Sequence, residues 1–531
     1  MLKKTGILVL FVLLFLPTFI FAENLSCEKW TVMDIQFKAE TTILAPFDVH
    51  MGAVLSREDG VSMTIPAFYN DDNTWIVRFC PPERGKWTYE TYSSFPLLAG
   101  RKGVIEVTAN TKADEHGPVV ISKKYNQKFE YADGTPYFLL AFELDWLFAL
   151  DWKNENDIPK TKSIISEVAA HGFNQVIMNV YAYDAGWGDK ESIAPENNYA
   201  RPGVFPYGGS NENPDYSTLN IDFFKHLDRV MAHLNEKEII SHLMIYVWNK
   251  KVNLAEPNSK ADNMYFDYVV KRYQAFPNLI WDISKEALGY GHNDMGYITD
   301  RIDRLRKLDG HGRLLSVHDY QYCNAFPEKV DFISIQHWVP NIYDATRRVK
   351  DKHASKPIFN IEHGGYEKSM HSIFDGAYND PVVCLDRNYK IVFAGAYSTY
   401  YWQNSAWYEV VSRPFDLPKQ KQPKFSYLKN FADLFSKYDF QILEPAQFGF
   451  TPYCLTDYES IYLFYIPDGM IKVAGDVRNL VGKRVSVTWY DPLEGRYMAD
   501  EPRTMNAPWL SFSPPTEITS PMKVMILEVV E

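Results

Sequence analysis

Between residues 127 and 438 short apolar runs, each too brief for a helix, alternate with longer amphipathic segments. Strand-like runs occupy 136–142, 173–181, 239–248, 279–286, 313–319, 330–337 and 356–362, with an eighth at the end of 390–402. Helical patterns fall at 157–171, 221–235, 263–276, 295–308, 341–353 and 425–438. Eight strands interleaved with helices predict an α/β fold, a closed parallel (β/α)8 TIM barrel. Such a barrel presents its chemistry at the C-terminal tips of its strands. Two tips end on a carboxylate, Glu286 after 279–285 and Glu362 after 356–361, and glycines that permit a turn follow both. Their separation, 362 − 286 = 76 residues, fits strands four and seven.

The flanks lack this alternation. Residues 24–117 carry short strand patterns at 30–37, 75–79, 86–91 and 103–108, with turn chemistry at 59–60, 70–73 and 81–85, and predict an N-terminal β-sandwich. The barrel is assigned to 118–438. Residues 439–531 lose the helical signal and show strands at 460–466, 485–490 and 522–529, which predict a C-terminal β-sandwich.

Residues 1–22 read as a removable signal peptide. Lys3 and Lys4 supply the positive start, 7–21 an apolar run broken by Pro17, and Ala22 a small residue for cleavage. The run is short for a membrane span, so a secreted or periplasmic mature chain is expected. Residues 24–27 loosely match a lipoprotein processing site, with Asn24 where an aliphatic residue is wanted, which leaves a surface anchor at Cys27 open. A formal charge of −12 argues against nucleic acid or an anionic membrane as partner. Cysteines at 27, 80, 323, 384 and 454 show no zinc spacing and read as isolated thiols, with a Cys27–Cys80 disulfide as the competing reading. The aromatic content, 15% with 13 Trp and 35 Tyr, suits either sugar stacking or a large aromatic core.

Two carboxylates facing each other across a barrel mouth suit glycosidic cleavage. One carboxylic acid protonates the leaving oxygen, and the other acts as nucleophile at about 5 Å or as base for a water when farther. Glu286 would then need a raised pKa, which an ionised Glu362 nearby would promote. Strand alternation directs the neighbouring Lys285 outward. Other tips offer candidate substrate contacts: Asp145 and Trp146 on strand one, Asn179 and Tyr181 on strand two, and Trp248 with Asn249 on strand three. His318, His337, Trp338, Trp402 and Gln403 lie on strands five, six and eight. Each could equally be core. Asp282 sits inside strand four, where a buried hydrogen-bonded role is expected. No HxH or HExxH spacing appears, so neither metal nor cofactor is expected. The partner expected is an oligo- or polysaccharide.

The chain resembles the apiosidase-like glycoside hydrolases, relatives of the retaining barrel clan. The resemblance rests on Pro46-Phe47, Phe68-Tyr69 and Gly85 to Thr91 in the first domain, on the barrel lead-in from Tyr131 to Tyr137, and on the turn Trp489-Tyr490-Asp491-Pro492 near the end. It implies that Glu286 is the acid/base and Glu362 the nucleophile of a retaining enzyme. Two places depart from the pattern. Lys285 stands where the clan places an Asn that holds the sugar 2-hydroxyl, and strand one ends in Phe142, Glu143, Leu144, Asp145 and Trp146 in place of small residues and Thr. The sugar therefore does not carry over with the resemblance. The alternative reading is a non-catalytic carbohydrate-binding protein on a decayed barrel.

Overall fold

The computed structural model describes residues 24–186, 190–191, 193–291, 294–364, 381–402, 407–448 and 450–530. The expected signal peptide and Gln403 lie outside these residues. The centre is an eight-stranded parallel sheet of β1 (Leu140–Glu143), β2 (Gln175–Asn179), β3 (Ile240–Val247), β4 (Leu279–Lys285), β5 (Leu315–His318), β6 (Ile333–Ile335), β7 (Ile358–Asn360) and β8 (Tyr397–Tyr400). The hydrogen-bonded order runs β5-β4-β3-β2-β1-β8-β7-β6. The seam between β5 and β6 is drawn together by Asp331 N–H donating to Leu315 O at 2.8 Å and by the Ser316 and Ser334 hydroxyls at 2.9 Å. The strands are buried on both faces, which is why they read as near-continuous apolar runs.

Around the sheet stand α1 (Pro159–Ala170), α2 (Ile221–Glu236), α3 (Lys260–Tyr273), α4 (Met295–Leu308), α5 (Tyr320–Ala325), α6 (Ile342–Lys352), α7 (Pro381–Phe393) and α8 (Phe425–Lys437). Side-chain caps start several of them: Asn220 accepts from Phe223 N–H, Ser259 from Asp262 N–H and Asp294 from Tyr297 N–H. Two sequence expectations are corrected here. The first strand begins at Leu140 rather than 136, because Pro136 and Tyr137 bond back to Phe129–Tyr131 in a hairpin with Val119–Ile121. A short α5 also stands between β5 and β6, where the sequence showed no helix.

The N-terminal part packs a five-stranded sheet on a three-stranded one around Trp75, Trp87 and Ile65. Its strands Met51–Arg57 and Ser62–Pro66 carried no clear sequence signal. The C-terminal part is a mainly antiparallel array in which Lys523–Val530 lies between Ile461–Ile466 and Arg484–Asp491. The five cysteines are all free thiols. Among the described residues no helix is long and apolar enough to cross a membrane.

Candidate active site

Asp282 shapes the end of β4. It is fully buried, one oxygen accepts from the N–H groups of Ser284 (3.0 Å) and His318 (2.9 Å), and the other meets His242 Nε2 at 2.9 Å. Here the β4–β5 register slips: Asp282 faces Ser316, but Lys285 faces His318. The extra residue on β4 is a β-bulge, and it reverses the facing of the residues beyond it. The expectation that Lys285 points outward is thereby overturned. Lys285 is 1% exposed, and its ammonium lies among Glu143 of β1, Asp145 and Glu362. Glu286 then turns through a left-handed backbone, φ 57°, with its N–H bonded to His318 O at 3.2 Å. The bulge and the turn together send two consecutive side chains toward the barrel mouth.

Glu286 and Glu362 meet there. One oxygen of each and a ring nitrogen of His318 all lie within 4.8 Å of one another. Glu286 is fixed by two amides, Asn249 Nδ2 at 2.9 Å and Gln336 Nε2 at 2.8 Å. Glu362 comes just after β7 and has Lys285 Nζ at 3.5 Å and His318 Nε2 at 3.9 Å from the same oxygen. Buried Arg387 of α7 holds the adjoining backbone, donating to the carbonyls of His363 (2.7 Å), Val339 (3.0 Å) and His337 (3.1 Å). It thus ties the ends of β6 and β7 together.

Burial pushes the Glu362 carboxyl up to about 7, with Lys285 opposing and Glu286 reinforcing the rise. Burial likewise drives Glu143 well above the carboxylate range. Asp145 is buried too, but Lys285 and Lys250 outweigh that and hold it below its ordinary value. Lys285 keeps its proton, since Asp145, Glu143 and Glu362 more than offset its burial. His318 is held neutral by burial, then by Lys285 and His242, and neither ring nitrogen makes a hydrogen bond. Glu286, His318 and Glu362 are ligand types for a cation, but Lys285 Nζ already stands 3.5 Å from the shared Glu362 oxygen and its charge opposes one.

The remaining predicted residues divide by burial. Asp145 joins the centre through Lys285 and through Lys250 at 3.1 Å. Asn179 ends β2, buried, with neither amide atom hydrogen-bonded. Trp146 is core, its N–H donating to Trp407 O, and Trp402 is also buried. Tyr181 packs among Phe148, Phe205 and Phe223. Trp248 stacks on Tyr246, Trp338 meets Tyr401 edge-on, and His337 meets Tyr320 edge-on; these three keep some exposure. Sequence reasoning missed Gln336, Lys250 and Glu143 as members of the centre. Their one signal was adjacency to the strand tips, next to His337, Asn249 and Phe142.

The apiosidase-like catalytic-domain family matches residues 123–423, more than half of the chain. The chain belongs to the apiosidase-like family. A family described as a domain of unknown function, DUF5060, matches 26–94. A candidate glycoside hydrolase from Bacteroides vulgatus ATCC 8482 superposes with a TM-score of 0.75 at 18% identity, covering 96% of this chain and all of its own length. A family 5 glycoside hydrolase from the same organism gives 0.55 at 17% identity, over 78% of this chain and 94% of its own. A further glycoside hydrolase gives 0.55 at 16%, over 78% and 97%. At such identities the likeness is one of fold. No curated protein matches the sequence. Within this apiosidase-like barrel the two departures seen in the sequence are one feature: Lys285 is bonded by Glu143 and Asp145 of the altered first-strand end.

Proposed function

We propose that the protein is a secreted retaining glycoside hydrolase acting on complex, plant-type polysaccharide or its side chains. Glu362 is the nucleophile and Glu286 the acid/base. One observation carries the reading: an oxygen of Glu286 and an oxygen of Glu362 lie within 4.8 Å across the mouth. A gap of about 5 Å leaves no room for a water between carboxylate and sugar, so it favours direct attack over inversion.

In the first step a Glu362 oxygen bonds the anomeric carbon while Glu286 gives its proton to the departing oxygen. In the second, Glu286 takes a proton from water as that water displaces Glu362. Asn249 and Gln336 fix the direction in which Glu286 delivers its proton. The productive form carries one proton on the pair, on Glu286. Because Glu362 titrates at about 7, the competing form with the proton on Glu362 is populated around neutrality. The unpartnered Asn179 amide suits a sugar hydroxyl, since a buried amide without a partner costs about 1–3 kcal/mol. Trp248 and Trp338 offer aromatic faces. Export by residues 1–22 and a division of the chain after 117 and 438 belong to the same reading.

The test is sugar release from aryl glycosides and plant polysaccharides by wild type and Glu362→Gln, with proton NMR of the first product formed. Release that the variant loses, with the anomeric configuration retained, supports the reading. Equal release by both, or an inverted product, overturns it. Saccharide binding with no release by wild type would leave a carbohydrate-binding protein.

A further inference from the structure

We propose that Lys285 is a positioning residue that keeps Glu362 ionised, acting through the nucleophile rather than on the sugar. The inference rests on the proposed roles of the two glutamates. An ammonium has three N–H donors. Lys285 Nζ donates to Glu143 Oε1 and to Asp145 Oδ2 at 3.3 Å, and stands 3.5 Å from Glu362 Oε2 as an ion pair. At 1% exposure Lys285 is enclosed by the side chains of Glu143, Asp145 and Glu362.

The gain lies in the charges around Glu362. From β4 and the loop after it come Lys285, Glu286 and Tyr290. The end of β1 supplies Glu143 and Asp145, the segment after β3 supplies Lys250, and β5 supplies His318. Glu286 and Asp145 each favour a proton on Glu362, and so does burial. His318 is neutral. Lys250 is bound to Asp145 at 3.1 Å and to Trp407 O at 3.2 Å. Among the described residues Lys285 is the lysine or arginine that forms an ion pair with Glu362 itself, so there it is the main force against protonation of the nucleophile. Asp145, held below its ordinary value, supplies the counter-charge that makes this burial tolerable, and Glu143 Oε1 accepts one of the ammonium N–H groups.

The proposal predicts opposite signs for two variants. Lys285→Met removes the cation and should raise the pKa of Glu362 by about 1–3 units. Asp145→Asn removes an anion that both repels Glu362 and competes for Lys285, and should lower it. The direct readout is the 13C titration of the Glu362 carboxyl, assigned by its disappearance in Glu362→Gln. The second readout is the acidic limb of kcat/KM on a 4-nitrophenyl glycoside that wild type cleaves. That limb should move with the titration, so the loss in Lys285→Met is severe at low pH and recovers as pH rises. A limb that stays put, or a titration that moves the same way in both variants, overturns the proposal. If Lys285→Met does not fold, Asp145→Asn decides alone, and an unmoved or raised Glu362 value refutes it. Should wild type cleave no glycoside, the proposed function falls, while the carboxyl titration still judges Lys285.

Discussion

At Glu362 two demands conflict: a nucleophile needs its charge, and a side chain 6% exposed resists having one. Folding raises its pKa from an ordinary 4.5 to about 7, so the folded state binds this proton more tightly than the unfolded chain does. Its stabilising contribution is complete below the unfolded value and is lost as pH climbs through the folded one. Glu362→Gln has no such titration. Its stability advantage over wild type should therefore grow between pH 5 and pH 8 by about 2–3 kcal/mol, read from urea unfolding at the two pH values. A gap that is the same at both would mean burial of the charge costs nothing here. Both glutamates were legible in the sequence because each ends an apolar run and precedes glycine. The facing of Lys285 was not. Alternation assumes uninterrupted pairing, and the bulge is made by Asp282 capturing the N–H of His318, a residue 36 positions away.

The end of β4 is a strained element as well as a chemical one. Glu286 holds a left-handed φ of 57°, which costs an L residue about 1–2 kcal/mol. Replacing it with glycine relieves that strain and replacing it with alanine does not. Glu286→Gly should accordingly exceed Glu286→Ala in stability by about 1 kcal/mol in chemical denaturation, although both lose the carboxylate. Equal stability would show that the turn is unstrained. The neighbouring α5 explains a miss of the same kind. At six residues it is too short to show a helical period, and it is started by Asp319 capping Gln321 and Tyr322, while the other Asp319 oxygen accepts from Leu288 N–H in the loop after Glu286. One side chain thus fixes a helix start and the loop beside the candidate acid/base, and neither job leaves a periodic trace.

Across the whole molecule, the first sandwich is joined to the barrel by a buried ionic cluster. Arg78 binds Asp34 of its own domain and Asp228 of α2 through paired hydrogen bonds of 2.7–3.1 Å, and it also donates to Arg272 O at 3.0 Å. Arg272 of α3 grips the same Asp228 at 2.9 and 2.6 Å and reaches Asn70 at 3.0 Å. Removing one member of such a cluster strands its partners without their charge, which typically costs about 3–5 kcal/mol. Arg78→Met should lower stability by that order and split a joint calorimetric transition, releasing the sandwich ahead of the barrel. A single transition at the wild-type temperature would mean the parts are held by apolar contact alone. The sequence by itself determined the alternating barrel, the β character of both flanks and the two strand-end glutamates, because each is written in local periodicity and turn chemistry. Only the tertiary structure decided that Lys285 turns inward, that Glu143, Lys250 and Gln336 join the centre, and that Trp146 and Trp402 are core. Those outcomes depend on pairing register and on charges that meet across the barrel from distant strands, and neither is encoded within any one stretch of chain.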